Sequence, residues 1–284
     1  MLENPFHLFD TFLFDGDGVL YKENNPLPGA IELFNLLKKE GKKTLLLTNN
    51  STKVRADYIQ KLSDMGITII EEEVLTSSYL TAKYISEEKP KSRIYVIGEE
   101  GLKKELEKQN LEVANPGKET NDEEIFDFDF NGINIVVTGM DRKLNYVKMA
   151  RAMNLLSKKD KTVEFIATNA DITFPTNNGL IPGGGAMITV LEELSGRKIS
   201  KIIGKPQEQM YLAALKISNT PKDKAIMFGD RIHTDIYGAN QVGITSCLVL
   251  SGVTSKEDLI DLSDDLLPDI IVNNLQDVIV SLSK

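Results

Sequence analysis

Short apolar runs of β type recur along these 284 residues, and a stretch of helical period separates almost every neighbouring pair. That alternation points to an α/β protein with a mostly parallel sheet, because parallel strands need a crossover between them, usually a helix. TFLF (11–14) reads as the first buried strand. Pro28 opens a helix that places Ile31, Phe34 and Leu37 on one face, and Gly41 closes it. KTLLLT (43–48) is the second strand, followed by a helix near 52–65 that ends at Gly66. Further strands are expected at 94–98, 133–139, 164–168, 201–204, 225–230, 247–250 and 269–272. Helices are expected near 77–88, 99–109, 145–158, 186–195, 207–217, 233–242 and 274–282.

Composition narrows the function classes. A content of 41% hydrophobic and 26% charged residues suits a soluble chain with a sizeable core. The single cysteine, Cys247, cannot close an internal disulfide, no apolar run approaches the ~20 residues of a bilayer span, and MLENPFHLFD lacks a signal-peptide layout. Cytoplasm is the default. The net charge of −9 argues against a nucleic-acid partner, whose backbone demands clustered Lys and Arg. No membrane partner is expected either.

Four short segments fall at the C-terminal ends of expected strands, where open parallel sheets gather their ligands. They are Asp15-Gly16-Asp17-Gly18-Val19, Thr48-Asn49-Asn50-Ser51, Gly204-Lys205-Pro206 and Gly229-Asp230 through Asp235. Each is weak alone; in this order, each on a strand end, they are specific. The set resembles the four motifs of the haloacid dehalogenase (HAD) superfamily. DxDGVLY, TNNS, GKP and GDRxxTD look like its NagD-like, p-nitrophenyl phosphatase-type subclass (class IIA), from about residue 10 to the C-terminus. The resemblance implies a Rossmann-like parallel-sheet core with an inserted α/β cap, and a phosphatase acting on a small phosphorylated metabolite.

The residue types suit phosphoryl transfer, which needs an in-line nucleophile, neutralised phosphate oxygens and a proton for the leaving group. Asp15 is the nucleophile, whose carboxylate forms an acyl phosphate that water then cleaves. Asp17 is the general acid and then base. Mg²⁺ takes oxygen ligands octahedrally and keeps several waters, so Asp15, the Asp17 carbonyl and Asp230 suffice with phosphate. Asp235 matches the family's second acidic position, at a metal-bound water or ordering the loop. Lys205 supplies fixed positive charge, and Thr48 and Asn49, with Asn50 beside them, donate to the phosphate.

Other chemistries fit less well. The loop at Asp15 has Val19 and Pro26 where an EF-hand needs a ligand and its last Glu. Asp127-Phe-Asp129-Phe-Asn131-Gly132 matches half of that calcium pattern, but Thr138 stands at its twelfth position. Two histidines, His7 and His233, and no Gly-x-Ser-x-Gly leave no serine triad, and no CxxC or HExxH suggests zinc. LIPGGGA (180–186) has no strand running into it and no Lys-Ser/Thr after it, so it reads as a turn rather than a phosphate cradle. Residues 115–132 read as a polar connection. A phosphotransferase or mutase using the same aspartyl phosphate, or a silent phosphate sensor, are the competing readings. Dehalogenation would leave Asp17 idle.

Spacing locates the insertion. Asp15 to Thr48 spans 33 residues, enough only for strand, helix and strand, whereas 157 separate Thr48 from Lys205. The expected division is a core of 1–79 and 182–284 with a cap of 80–181, resembling the type 2 cap that selects the ester. The family's specificity loop matches Gly139–Tyr146, where Arg142 and Lys143 would meet a second anionic group. Ala167-Thr168-Asn169-Ala170-Asp171 matches a further segment in which the family usually has Pro at position 170. A homodimer through the cap is the assembly the resemblance leaves room for.

Overall fold

The computed structural model describes residues 5–159, 162–176 and 178–283, so the first four residues of the N-terminal stretch lie outside it. The described chain forms two compact units. The first comprises 1–48, 55–75 and 205–284; the second comprises 49–54 and 76–204.

The first unit is built on a six-stranded sheet in the order Ile270–Val272, Thr245–Val249, Ala225–Gly229, Thr11–Phe14, Lys43–Thr48, Val74–Thr76. Thr11–Phe14 pairs in parallel with a neighbour on each side, Phe14 standing opposite both Phe228 and Leu46. All four of its residues are buried, which is why it reads as an unbroken apolar run rather than an alternating one. The chain leaves this central strand toward one edge and later returns on the other side. The strand order therefore reverses at Thr11–Phe14, the position where parallel sheets open a crevice beyond their C-terminal ends. An aromatic cluster fixes the strand: the Phe14 ring lies 5.1 Å from Phe228 and 5.6 Å from Phe34, and Phe12 and Phe6 also stack with Phe228.

The second unit carries a five-stranded parallel sheet in the order Lys201–Ile202, Glu164–Ala167, Ile133–Thr138, Arg93–Ile97, Glu112–Val113. Helices Tyr146–Leu156 and Gly184–Ser195 supply Leu155 and Leu191 to its core beside Phe165. Because Lys201–Ile202 pairs with Glu164–Ala167 and Gly184–Ser195 packs on this sheet, residues 182–204 go with the second unit rather than with the core expected above. Its other limit lies at Thr76, not at residue 80.

Two further departures have physical reasons. Val74–Thr76 and Glu112–Val113 are strands of three and two residues, too short to show a period. Gly179–Pro182 is an antiparallel strand paired with Thr173–Thr176, so a strand does run into the triple glycine. The glycines there serve packing: a Cβ on Gly183 or Gly185 would stand 2.3 Å from the Asp171 or Ala170 carbonyl oxygen. The polar stretch 115–132 has no regular structure but is tied down, Arg151 pairing with Glu119 and Glu123 while its guanidinium donates to the carbonyls of Glu124 and Ile125. The half-matched calcium segment holds a cation of its own chain, since Asp129 pairs with Arg93 at 3.0 Å.

Phe228 stacks with three rings in the sheet core, so Phe228→Ala should cost about 3–5 kcal/mol of unfolding free energy. Phe126→Ala, at an exposed ring, should change it by less than about 0.5 kcal/mol. Urea unfolding of both variants measures the contrast.

Candidate active site

Three acidic side chains and one lysine converge at the reversal point of the first unit. Asp15 follows the central strand, Asp230 follows Ala225–Gly229, and Asp235 closes a π-helical turn over Ile232–Ile236. A carboxylate oxygen from each lies within 4.8 Å of the other two, and all three side chains are buried. Lys205 donates from Nζ to Asp15 Oδ1 at 2.6 Å and to the Leu47 carbonyl at 3.0 Å. The same ammonium pairs with Asp235 Oδ1 at 2.7 Å.

Local backbone chemistry forces this convergence. The Asp15 N–H donates to the Phe228 carbonyl at 2.9 Å, continuing the parallel ladder one residue past the strand. The chain then turns back, and the N–H groups of Leu20 and Tyr21 donate to the Gly16 carbonyl. Gly18 takes φ +91°, and a Cβ there would stand 2.2 Å from Asp230 Oδ2, so this position excludes any side chain twice over. Asp230 Oδ2 accepts the Val253 N–H at 2.8 Å, and its carbonyl accepts from Thr254. The π-helical turn is held by Tyr211, whose hydroxyl donates to the carbonyls of Thr234 and Asp235. Such turns often mark functional positions because they re-aim one side chain.

The electrostatics of the cluster favour a cation. Three carboxylates face one ammonium, so full ionisation would leave an excess of two negative charges in a buried place. Burial, followed by the charges of Asp15 and Asp235, raises the Asp230 carboxyl well above the usual carboxylate range. Burial also pushes Asp235 up to about 6, with Lys205 pulling it down and Asp15 pushing it further up. Burial alone would lower Lys205, but Asp15 and Asp235 together outweigh it and hold the ammonium above its ordinary range. Asp230 Oδ1 is buried with no hydrogen-bond partner among the described residues, an arrangement that costs free energy unless something positive meets it. Oxygen donors, excess negative charge and an orphaned carboxylate oxygen together fit a divalent cation.

Comparison with known proteins identifies the setting. Residues 12–112 match the family described as haloacid dehalogenase-like hydrolase, and residues 202–278 match a HAD-hydrolase-like family. A 4-nitrophenylphosphatase of Schizosaccharomyces pombe is 35% identical over 280 residues, covering 94% of this chain and 92% of its own length. Phosphoglycolate phosphatase 2 of Arabidopsis thaliana is 32% identical over 284 residues, covering 96% and 93%. The crystal structure of a 4-nitrophenylphosphatase from Thermotoga maritima superposes with a TM-score of 0.84 at 31% identity, covering 95% of this chain and 96% of that one.

The chain belongs to the haloacid dehalogenase-like hydrolases. It is a HAD phosphatase of the NagD-like, 4-nitrophenylphosphatase subclass, a phosphoric monoester hydrolase for small esters. HAD phosphatases generally use a divalent metal, with which the aspartate cluster is compatible.

Of the residues singled out in this HAD phosphatase's sequence, Asp15, Lys205, Asp230 and Asp235 come together directly. Thr48 is buried at the end of its strand and hydrogen-bonded to Tyr58. Asp17 bridges to Tyr21, and its charge helps burial push the Tyr58 hydroxyl far up, which places it by the same strand ends. Asn49 and Asn50 belong to the second unit: Asn49 Nδ2 donates to Asp171 Oδ2, and Asn50 Oδ1 accepts from the Thr52 N–H and hydroxyl as a turn cap. Arg142 forks onto Glu99 with two 2.7 Å bonds, while Lys143 is exposed. Sequence reasoning missed the loop that grips Asp230. Its signal was Gly252, a glycine just past a strand end like those of the four motifs; a Cβ there would stand 2.0 Å from Asp230 Oδ2.

The raised Asp235 carboxyl gives a pH test. Its folded pKa of about 6 exceeds the unfolded value of about 3.9, so the metal-free folded state binds the extra proton between them. Stability from this group therefore falls as pH rises through that window, and a bound cation must displace the proton. Thermal melts with and without a divalent cation should show a stabilising increment at about pH 7.5 that shrinks steadily below about pH 6. An increment independent of pH contradicts the assignment.

Proposed function

We propose that this protein is a Mg²⁺-dependent phosphatase that works through an acyl phosphate formed on Asp15. The observation that carries the reading is the 2.6 Å bond from Lys205 Nζ to Asp15 Oδ1 beside two further buried carboxylates at the sheet's reversal point. An oxygen of Asp15 attacks phosphorus in line, the ester P–O bond breaks, and Asp17 protonates the departing alkoxide. Asp17 then takes a proton from the water that attacks the aspartyl phosphate, returning Asp15 and releasing inorganic phosphate. Lys205 neutralises a phosphate oxygen, and the Thr48 hydroxyl and the Asn49 turn, capped by Asn50, donate to the others. Asp15, the Asp17 carbonyl and Asp230 would hold Mg²⁺, with Asp235 beside it. When bound, Mg²⁺ supplies charge neutralisation that lets an anionic nucleophile approach an anionic ester.

For the substrate, the relatives' names span 4-nitrophenyl phosphate and phosphoglycolate. The class proposed is a small monoester: phosphoglycolate, pyridoxal phosphate, a sugar phosphate or a nucleoside monophosphate. The second unit is proposed as the cap that selects among them, with the Arg142–Lys143 loop as its selecting segment. Arg142 is already committed to Glu99, so Lys143 is the cation of that loop on which selection would rest first. No helix among the described residues is long and apolar enough to cross a membrane; with a single cysteine, we place the enzyme in the cytoplasm.

Asp15→Asn should leave the fold intact and reduce turnover to background, and chelator should do the same until Mg²⁺ is restored. Asp17→Asn should slow alkyl phosphates far more than 4-nitrophenyl phosphate, whose leaving group needs little protonation. Steady-state rates on both esters decide this: equal losses would remove Asp17 from the acid role. Lys143→Ala should raise KM for esters bearing a second anion while leaving kcat unchanged. Unchanged KM for every ester would make the loop a solvated turn.

A further inference from the structure

The turn that follows Lys43–Thr48 is held by side chains far away in sequence. The Asn49 carbonyl accepts two buried donors, Ser77 Oγ at 2.7 Å and Asn169 Nδ2 at 2.8 Å. The Asn49 side chain donates from Nδ2 to Asp171 Oδ2 at 3.0 Å. Asp171 is itself oriented, its backbone N–H donating to Asn169 Oδ1 at 3.1 Å. The Gly204 N–H donates to the Thr168 carbonyl at 2.7 Å, and a Cβ on Gly204 would stand 2.4 Å from Asn49 Oδ1. All these groups lie in the second unit, which therefore contains the turn 49–54 although the strand before it belongs to the first.

We propose that Asp171 is a positioning residue for phosphate binding: by holding the Asn49 amide while Asn169 and Ser77 hold its carbonyl, it sets the Thr48–Asn49 turn against the phosphoryl group. The inference rests on the reading of that turn as a phosphate contact. A carboxylate suits the task because it accepts from an amide with a stronger bond than a neutral oxygen gives, and a backbone carbonyl with two buried donors has little freedom left. Residues 167–171 thus acquire a role in the reaction beyond turning a strand.

The test uses full-length protein with Mg²⁺ and inorganic phosphate as the probe. Asn49→Ala and Asp171→Ala should each raise the inhibition constant for phosphate and KM for 4-nitrophenyl phosphate by about tenfold, while kcat changes less. The double variant should be no worse than either single one, because both remove the same constraint. Asp171→Asn keeps an acceptor oxygen and should restore phosphate inhibition to within about threefold of wild type, a rescue that a purely structural loss would not show. If Asn49→Ala weakens phosphate binding but Asp171→Ala does not, or if the two losses multiply, the positioning role is wrong and the phosphate turn stands. Wild-type inhibition in Asn49→Ala would overturn the phosphate turn and the positioning role together. A folded Asp171→Asn protein as impaired as Asp171→Ala would also overturn the role.

Discussion

Everything at this site follows from the cost of bringing like charges together out of water. Asp15, Asp230 and Asp235 place oxygens within 4.8 Å of one another in a buried pocket of backbone, with one ammonium among them. Lost hydration, and then mutual repulsion, raise the carboxyl groups of Asp230 and Asp235 above the usual carboxylate range. Such a cluster persists only because the surrounding structure overdetermines it, and a divalent cation relieves it. The repulsion among the three carboxylates and their affinity for a cation are two aspects of the same electrostatic fact.

The scaffold overdetermines the cluster through the sheet. Parallel ladders bring the ends of Thr11–Phe14, Lys43–Thr48 and Ala225–Gly229 to one edge, so residues over two hundred positions apart in sequence become neighbours. The aromatic cluster of Phe12, Phe14, Phe34 and Phe228 keeps those ends in register beneath the site. Glycines at 18 and 252 then allow two loops to close on Asp230, where any side chain would collide with its carboxylate. Packing energy from the apolar core thus opposes the electrostatic cost at the strand ends.

Much of this was legible in the sequence because it depends on short-range signals. Buried strands such as 11–14 and 225–229 are dense apolar runs, and each motif begins where its run stops. Asp15, Lys205, Asp230 and Asp235 were readable for that reason. What escaped depends on contacts between distant segments. The boundary of the second unit turned on a two-residue strand, Lys201–Ile202, that finds its partner only in three dimensions. Arg142 looked like a cation available to a substrate, yet it is bound to Glu99, 43 residues away. Asn49 looked like a simple strand-end amide, and its holder, Asp171, lies 122 residues further on. Local pattern reports periodicity and chemistry, whereas side-chain partnership across loops leaves no local trace.

The central claim is that Asp15 carries the phosphoryl group during turnover. Its most direct test is to mix the enzyme, Mg²⁺ and 4-nitrophenyl phosphate, quench with acid within the first turnover, and map phosphorylated peptides by mass spectrometry. A hydroxylamine-labile phosphoryl group on the peptide containing Asp15, localised to that residue, is the result this account predicts. A phosphoryl group on any other side chain, or an initial burst of nitrophenol with Asp15 unmodified, would contradict it.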